Sequence, residues 1–217
     1  MSGLVIAIDG PAGAGKSTLA RAVAERLGRR HLDTGAMYRA VTLLALRSGV
    51  VGDAVRSADL ARHMALEVDG AVVLNGEDVT VAIRSPEVDD AVSEVSAHGL
   101  VRTELVRRQR QWAAQWGDVV VEGRDIGSVV FPDARLKVYL TAHPIERARR
   151  RAEQLPKAGA GAEGPIAVGE AGAALSRRDD LDSSRAASPL LVADGAIVVD
   201  STGRAVDEVV EEVLSYL

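Results

Sequence analysis

The apolar positions of this chain follow two periods, and the places where the period changes mark out its elements. Strand-like apolar runs occur at Leu4–Ile8, Val119–Val121, Leu136–Leu140 and Ala196–Val199. Between them apolar residues recur every three or four positions, the spacing of amphipathic helices. Lys16–Leu27 presents Leu19, Ala20, Val23, Ala24 and Leu27 in this way, and Gly28 follows as a C-cap. A short strand at Arg30–Asp33 leads into a helix from Thr34 to about Arg47, and a further helix runs from about Asp53 to Met64. Helices are also predicted at Pro86–Ala97, Leu100–Gln115 and Pro144–Gln154, the last with its proline suited to a first turn. Strands alternating with helices predict an α/β fold, a parallel sheet with helices on both faces.

Within 65–84 the pattern changes to strict alternation. Ala65–Val68, Ala71–Leu74 and Val79–Ile83 surround the turn signal Asn75-Gly76, which predicts a small antiparallel insert. Residues 156–174 are mostly Gly, Ala and Glu with Pro156 and Pro165, a composition that predicts a mobile segment with a short helix near its end. No internal repeat is evident.

Composition narrows the picture. The 217 residues suffice for one domain with insertions, and 47% of them are hydrophobic, yet the aromatics number one Phe, three Tyr and two Trp. A net charge of −5 and so few aromatic rings argue against a nucleic-acid binder. The chain has no cysteine, which excludes disulfides and thiolate metal sites and makes the cytoplasm the expected compartment. The first apolar run ends at Asp9 without a basic segment before it, so no secretory signal is expected. No run approaches the roughly 20 apolar residues of a membrane span. With no long exposed apolar stripe in the pattern, a monomer is expected.

The chemistry begins where the first strand ends. Gly10-Pro11-Ala12-Gly13-Ala14-Gly15-Lys16-Ser17 has the spacing G-x-x-x-x-G-K-[ST] between a strand and a helix, the form of a phosphate-binding loop. Glycines let successive N–H groups point into one concavity, and the helix behind it adds the positive end of its dipole. This predicts a bound nucleoside triphosphate. Lys16 is placed to reach the β- and γ-phosphates, and the Ser17 hydroxyl to ligate Mg²⁺.

Three further clusters fall at the same predicted sheet edge or beside it. Asp33-Thr34-Gly35-Ala36-Met37-Tyr38-Arg39 closes a strand and opens a helix, so that Arg39 can grip a second phosphate and Tyr38 can donate a hydrogen bond. Glu122-Gly123-Arg124-Asp125 follows a strand and places two acids and an arginine together, with Glu122 near the expected metal. Arg178, Asp182 and Arg185 share one helical face, as expected of a lid that clamps polyphosphate. His31, His63, His98 and His143 lie outside these clusters, which argues against a phosphohistidine intermediate. Two phosphate sites joined by arginines suit phosphoryl transfer between small molecules. A regulatory GTP switch is disfavoured, since the guanine-reading string N-K-x-D does not occur.

Taken together, the segments GPAGAGKST, LDTGAMYRA, VVVEGRDIGSVVFPDA and RRDDLDSSRAASPL, with the pair SEVSA and VRTELVRRQR, resemble the bacterial cytidylate kinases in the same order over nearly the whole chain. The resemblance implies Mg²⁺-dependent transfer of the ATP γ-phosphate to CMP or dCMP on a P-loop-type fold with a nucleoside monophosphate insert and a lid. It implies a single domain over 1–217, with a core of about 1–33, 99–153 and 187–217, a monophosphate-binding region of about 34–98 and a lid of about 154–186. ATP would be held by the loop from Gly10 to Thr18 (Thr18 completes the motif), and Lys16, Arg124, Arg178 and Arg185 would serve catalysis. The acceptor would be held by Asp33, Tyr38, Arg39, Arg124 and Arg185, with Ser93, Arg102 and Asp125 reading cytosine and Arg178 and Asp182 contacting phosphate and sugar. A kinase for another small molecule, UMP for example, is the alternative that these motifs disfavour.

Overall fold

The computed structural model describes residues 3–154, 165–185 and 188–217. Its larger sheet has five parallel strands in the order β2-β6-β1-β7-β8, formed by β1 (Val5–Asp9), β2 (Arg30–Asp33), β6 (Val119–Glu122), β7 (Leu136–Thr141) and β8 (Ile197–Asp200). Alternate residues of the central strands feed two separate cores, as the strand period of two requires. Ile6, Ile8 and Val120 face one core with α1 (Lys16–Leu27) and α8 (Val206–Leu214). Ala7, Val119 and Val121 face the other, with α2 (Thr34–Arg47), α3 (Ala54–His63), α4 (Pro86–Ala97) and α5 (Gly99–Trp116). Burial on both faces explains why these strands read as unbroken apolar runs.

The register brings strand ends together. Asp33 pairs with Glu122 and Ile8 with Glu122 across neighbouring strands, so β1, β2 and β6 end at one edge. Gly10 follows β1 at φ 146°, and a Cβ there would stand 2.0 Å from the Leu140 carbonyl oxygen. Only glycine lets the loop leave the sheet so close to β7. The chain order and the edge agree with ligand binding beyond the carboxyl ends of parallel strands.

The insert differs from its expected form at its third strand. β3 (Leu66–Asp69) and β4 (Ala71–Leu74) pair as expected, but the third strand is β5 (Glu77–Asp78), not Val79–Ile83. The tight Asn75-Gly76 turn sets Leu74 opposite Glu77, and the pairing ends with the Val79 N–H, which donates to the Val72 carbonyl at 2.9 Å. Val79 and Ile83 are both fully buried at i, i+4 spacing, and the Ile83 N–H donates to the Val79 carbonyl, so these apolar residues belong to a helical turn.

The expected mobile segment 156–174 lies outside the described residues as far as 164. From 165 the expectation is corrected, because α7 runs Pro165–Ser184 as one long helix. Its small residues are what allow close packing: Ala171 and Leu175 are buried, as is Ala148 of α6 (Pro144–Gln154), and a Cβ on Gly172 would meet that of Ala148 at 3.4 Å. A glycine- and alanine-rich stretch reads as a loop only until a partner helix is in place.

Candidate functional site

A cleft of about 770 Å³ runs across the carboxyl edge of the sheet. The residues from Ala12 to Thr18 form its floor, Asp33, Tyr38, Arg39, Arg102, Arg124 and Asp125 line one end, and Ser201 to Val209 in part line the other. Arg178 and Asp182 of α7 also face it. Gly10, Pro11 and Arg185 are not among the lining residues, although Arg185 pairs with Asp182, which is. Of the cytosine-reading set, Ser93 is not among the lining residues; Ser96, one turn on, is, and its hydroxyl donates to the Ser93 carbonyl.

Lys16 is buried at the start of α1, and its ammonium donates to the Pro11 carbonyl at 2.8 Å. Burial, reinforced by the nearby cations Arg124 and Arg178, pushes its pKa down to about 7, with Glu122 pulling the other way. Ser17 Oγ donates to Glu122 Oε2 at 2.9 Å. These two residues come from α1 and β6, and hard oxygen donors of this kind suit Mg²⁺. Among the described residues no group of three or more His, Cys, Asp or Glu is placed to hold a metal by itself.

His31 corrects one expectation. Its Nε2 lies 3.0 Å from Glu122 Oε1, so one histidine does adjoin the loop cluster, although it does not line the cleft. The parity of β2 puts His31 and Asp33 on one face, but only the β2–β6 register reveals that Glu122 is next to them.

Asp33 caps α2, accepting from the Ala36 N–H at 3.1 Å. One turn on, Arg39 donates to the Ile83 carbonyl at 3.0 Å and pairs with Asp89 of α4. The Tyr38 hydroxyl is buried beside the Gln109 side chain, and burial pushes its pKa up to about 12. Arg102 sits 5.3 Å from the Tyr38 ring centroid and pairs with Asp125, both side chains being at most 5% exposed.

Arg124 and α7 form the remaining wall. Arg124 Nε donates to Asp182 Oδ2 at 2.9 Å and Nη1 to the Gly10 carbonyl at 3.0 Å. Arg185 pairs with the other oxygen of Asp182 at 3.1 Å. Burial opposes the Asp182 charge, but Arg124, Arg185 and Arg178 outweigh it and hold the carboxyl below its ordinary range. Burial pushes the Arg178 pKa down to about 10, helped by Arg124 and Arg39, and its Nε is buried without a partner. A cationic cluster under-supplied with acceptors is electrostatically a site for an anion.

α6 carries four arginines, Arg147 and Arg149 to Arg151. In the structure Arg150 lines the cleft, and its Nη1 donates to the Ala14 carbonyl at 3.2 Å and to Ser201 Oγ at 3.0 Å, bracing the loop. Arg149, the next residue back, shares Glu146 with Arg150 and also pairs with Glu153, and Arg149, Arg150 and Arg151 all line the cleft. That these arginines reach the cleft depends on how α6 docks.

A family model described as cytidylate kinase matches residues 6–217. A cytidylate kinase of Symbiobacterium thermophilum is 50% identical over 220 residues, covering 98% of this chain and 95% of that protein. One of Mycobacterium leprae is 47% identical over 224 residues, covering 100% and 96%. A bifunctional pantoate ligase/cytidylate kinase of Prochlorococcus marinus is 48% identical over 218 residues, which span 97% of this chain and 44% of that longer protein.

Proposed function

Since this chain belongs to the cytidylate kinase family, we propose that it transfers the γ-phosphate of ATP to CMP or dCMP, giving ADP and CDP or dCDP. One observation carries the reading: the phosphate loop and the Tyr38–Arg39–Arg102–Arg124–Asp125 group open into the same continuous cleft. Two nucleotides can lie in it with their phosphates facing each other. Phosphoryl transfer asks for that alignment, for neutralised charge and for excluded water, rather than for a covalent nucleophile.

In this reading Lys16 and the N–H groups from Gly13 to Ser17 hold the donor phosphates, while Arg39 and Arg124, with Tyr38, hold the acceptor phosphate. Arg178 and Arg185 bring positive charge from α7, in the proposed lid of about 154–186, and Asp182 accepts from the sugar. Arg102 and Asp125 read the base: a carboxylate beside the exocyclic amine of cytosine can accept a hydrogen bond, whereas the O4 of uracil would face an acceptor. Ser93 and Ser96 share the adjoining helix turn, and the register of α4 favours Ser96 for direct contact.

Ser17 Oγ and Glu122 are the residues that would hold Mg²⁺, the serine directly and the glutamate from beside it, with most ligands coming from phosphate and water. Held there, Mg²⁺ would supply neutralisation of the negative charge on the donor phosphates. The further reading is of a cytoplasmic monomer. No described helix is long and apolar enough to cross a membrane, and the exposed large apolar residues, such as Val81 and Ile145, are spread over separate elements.

The test is acceptor-dependent ADP release with Mg-ATP and CMP, dCMP, UMP or AMP. CMP and dCMP should turn over far faster than the other two. Equal rates on UMP would remove the base assignment, and ADP release independent of any acceptor would remove the kinase reading.

A further inference from the structure

Ala12 is gripped on both sides of its residue by groups that do not line the cleft. Its N–H donates to Asp179 Oδ1 of α7 at 2.9 Å, and its carbonyl accepts from Arg147 Nη1 of α6 at 3.0 Å. Arg147 and Asp179 are themselves ion-paired, with side chains 14% and 16% exposed. The three contacts close a ring through loop, α6 and α7. Gly13 shows the same close approach independently: at φ 77° a Cβ would stand 3.0 Å from the Arg147 carbonyl oxygen and 3.3 Å from Leu175 Cδ1. Both helices therefore lie directly against the loop. Neither Asp179 nor Arg147 is among the residues lining the cleft, although Arg178, one residue earlier on α7, is.

We propose that Asp179 and Arg147 are positioning residues of the donor site, holding the Ala12 backbone from behind so that the N–H groups from Gly13 onward stay turned toward the triphosphate. Charge-assisted hydrogen bonds to a backbone are stronger than neutral ones, so two such bonds fix the local peptide planes firmly. Donors fixed in advance need no reorganisation when phosphate arrives. The ring also ties the loop to α7, the helix that carries Arg178 and Asp182. A carboxylate competing with phosphate for the loop would sit inside the cleft; this one sits outside it. The inference rests on the reading of the loop as a triphosphate site.

The experiment uses the full chain and the variants Asp179→Ala, Asp179→Asn, Arg147→Met and the Asp179→Ala/Arg147→Met double. Mg-ATP and CMP affinities are measured separately by calorimetry, and amide hydrogen exchange of the 10–15 segment is followed without ligand. Asp179→Ala and Arg147→Met should each weaken Mg-ATP binding about tenfold, with CMP affinity kept within about twofold and loop exchange accelerated. The double variant should fall within about twofold of the weaker single variant, because the ring opens only once. Asp179→Asn keeps an acceptor for Ala12 but not the ion pair, so it should lie between wild type and Asp179→Ala; it also serves if the alanine variant does not fold. Unchanged Mg-ATP affinity, tighter Mg-ATP binding, an equal loss of CMP affinity or additive single effects would each overturn the proposal. If the wild-type chain binds no Mg-ATP, the reading of the loop fails, while loop exchange that is the same in all variants would separately overturn the ring.

Discussion

Asp9 offers a test of how burial and hydrogen bonding compete at the base of the cleft. It ends β1 at 4% exposure, and its carboxylate accepts from the Ile126 N–H at 2.8 Å and the Gly127 N–H at 2.7 Å. These bonds hold the turn that follows Arg124 and Asp125. Burial raises the pKa of Asp9 from 3.8 to about 6, against the pull of the two N–H groups, and the charge of Asp125 adds to the rise. The native protein thus holds this proton more tightly than the unfolded chain does. Stability contributed by Asp9 is fully present below about pH 3.8 and is lost as the pH rises through about 6. The shift corresponds to about 3 kcal/mol in all, of which about 2 kcal/mol falls between about pH 4.5 and about pH 7. Asp9→Asn removes the titration and leaves one acceptor, so the difference between wild-type and variant unfolding free energies isolates this group. Urea unfolding, followed by circular dichroism at a series of pH values, should show wild type losing about 2 kcal/mol relative to Asp9→Asn across that window. A flat difference curve would refute the argument. A curve that rises with pH would show that the two N–H donors outweigh burial.

Arg102→Met leaves the Asp125 charge buried without its partner and should cost about 3–5 kcal/mol in denaturant unfolding. Adding Asp125→Asn should recover much of that stability but not CMP turnover. Arg39→Ala should raise the KM for CMP by about tenfold or more while Mg-ATP affinity holds, since the loss is of a charge-assisted phosphate contact. The same change at Arg124 should weaken both, because Arg124 also donates to the Gly10 carbonyl at the root of the loop; steady-state kinetics with each substrate varied separates the two. Lys16→Ala should lower turnover about a hundredfold or more in the same assay. Chelation of divalent ions with EDTA should abolish ADP release and excess Mg²⁺ should restore it.

Arg124 marks the boundary between what a linear motif conveys and what it leaves out. Its place after a strand, between Glu122 and Asp125, was enough to put it at the sheet edge. A contact with the acceptor alone was the natural expectation. The structure gives it two further partners, Asp182 and the Gly10 carbonyl, from residues 58 and 114 positions away. Asp125 repeats the lesson, since its proximity to Glu122 and Arg124 is local, but its ion pair with Arg102 comes from a separate helix.

Local pattern was enough for the parallel core, the strand–loop–helix form of β1 and α1, Asp33 as a helix cap and the shared helical face of Arg178 and Asp182, because each depends on periodicity or on spacing within one or two turns of chain. The short third strand at Glu77–Asp78, the helical state of 165–184 and the bond between His31 and Glu122 needed tertiary structure. Each of those depends on register or on a neighbouring element that supplies burial, and neither quantity is written in the residues nearby. The sequence thus determined which chemical groups this protein carries to the edge of its sheet. Packing of α6, α7 and the strands decided which of them face the cleft and which brace it from behind.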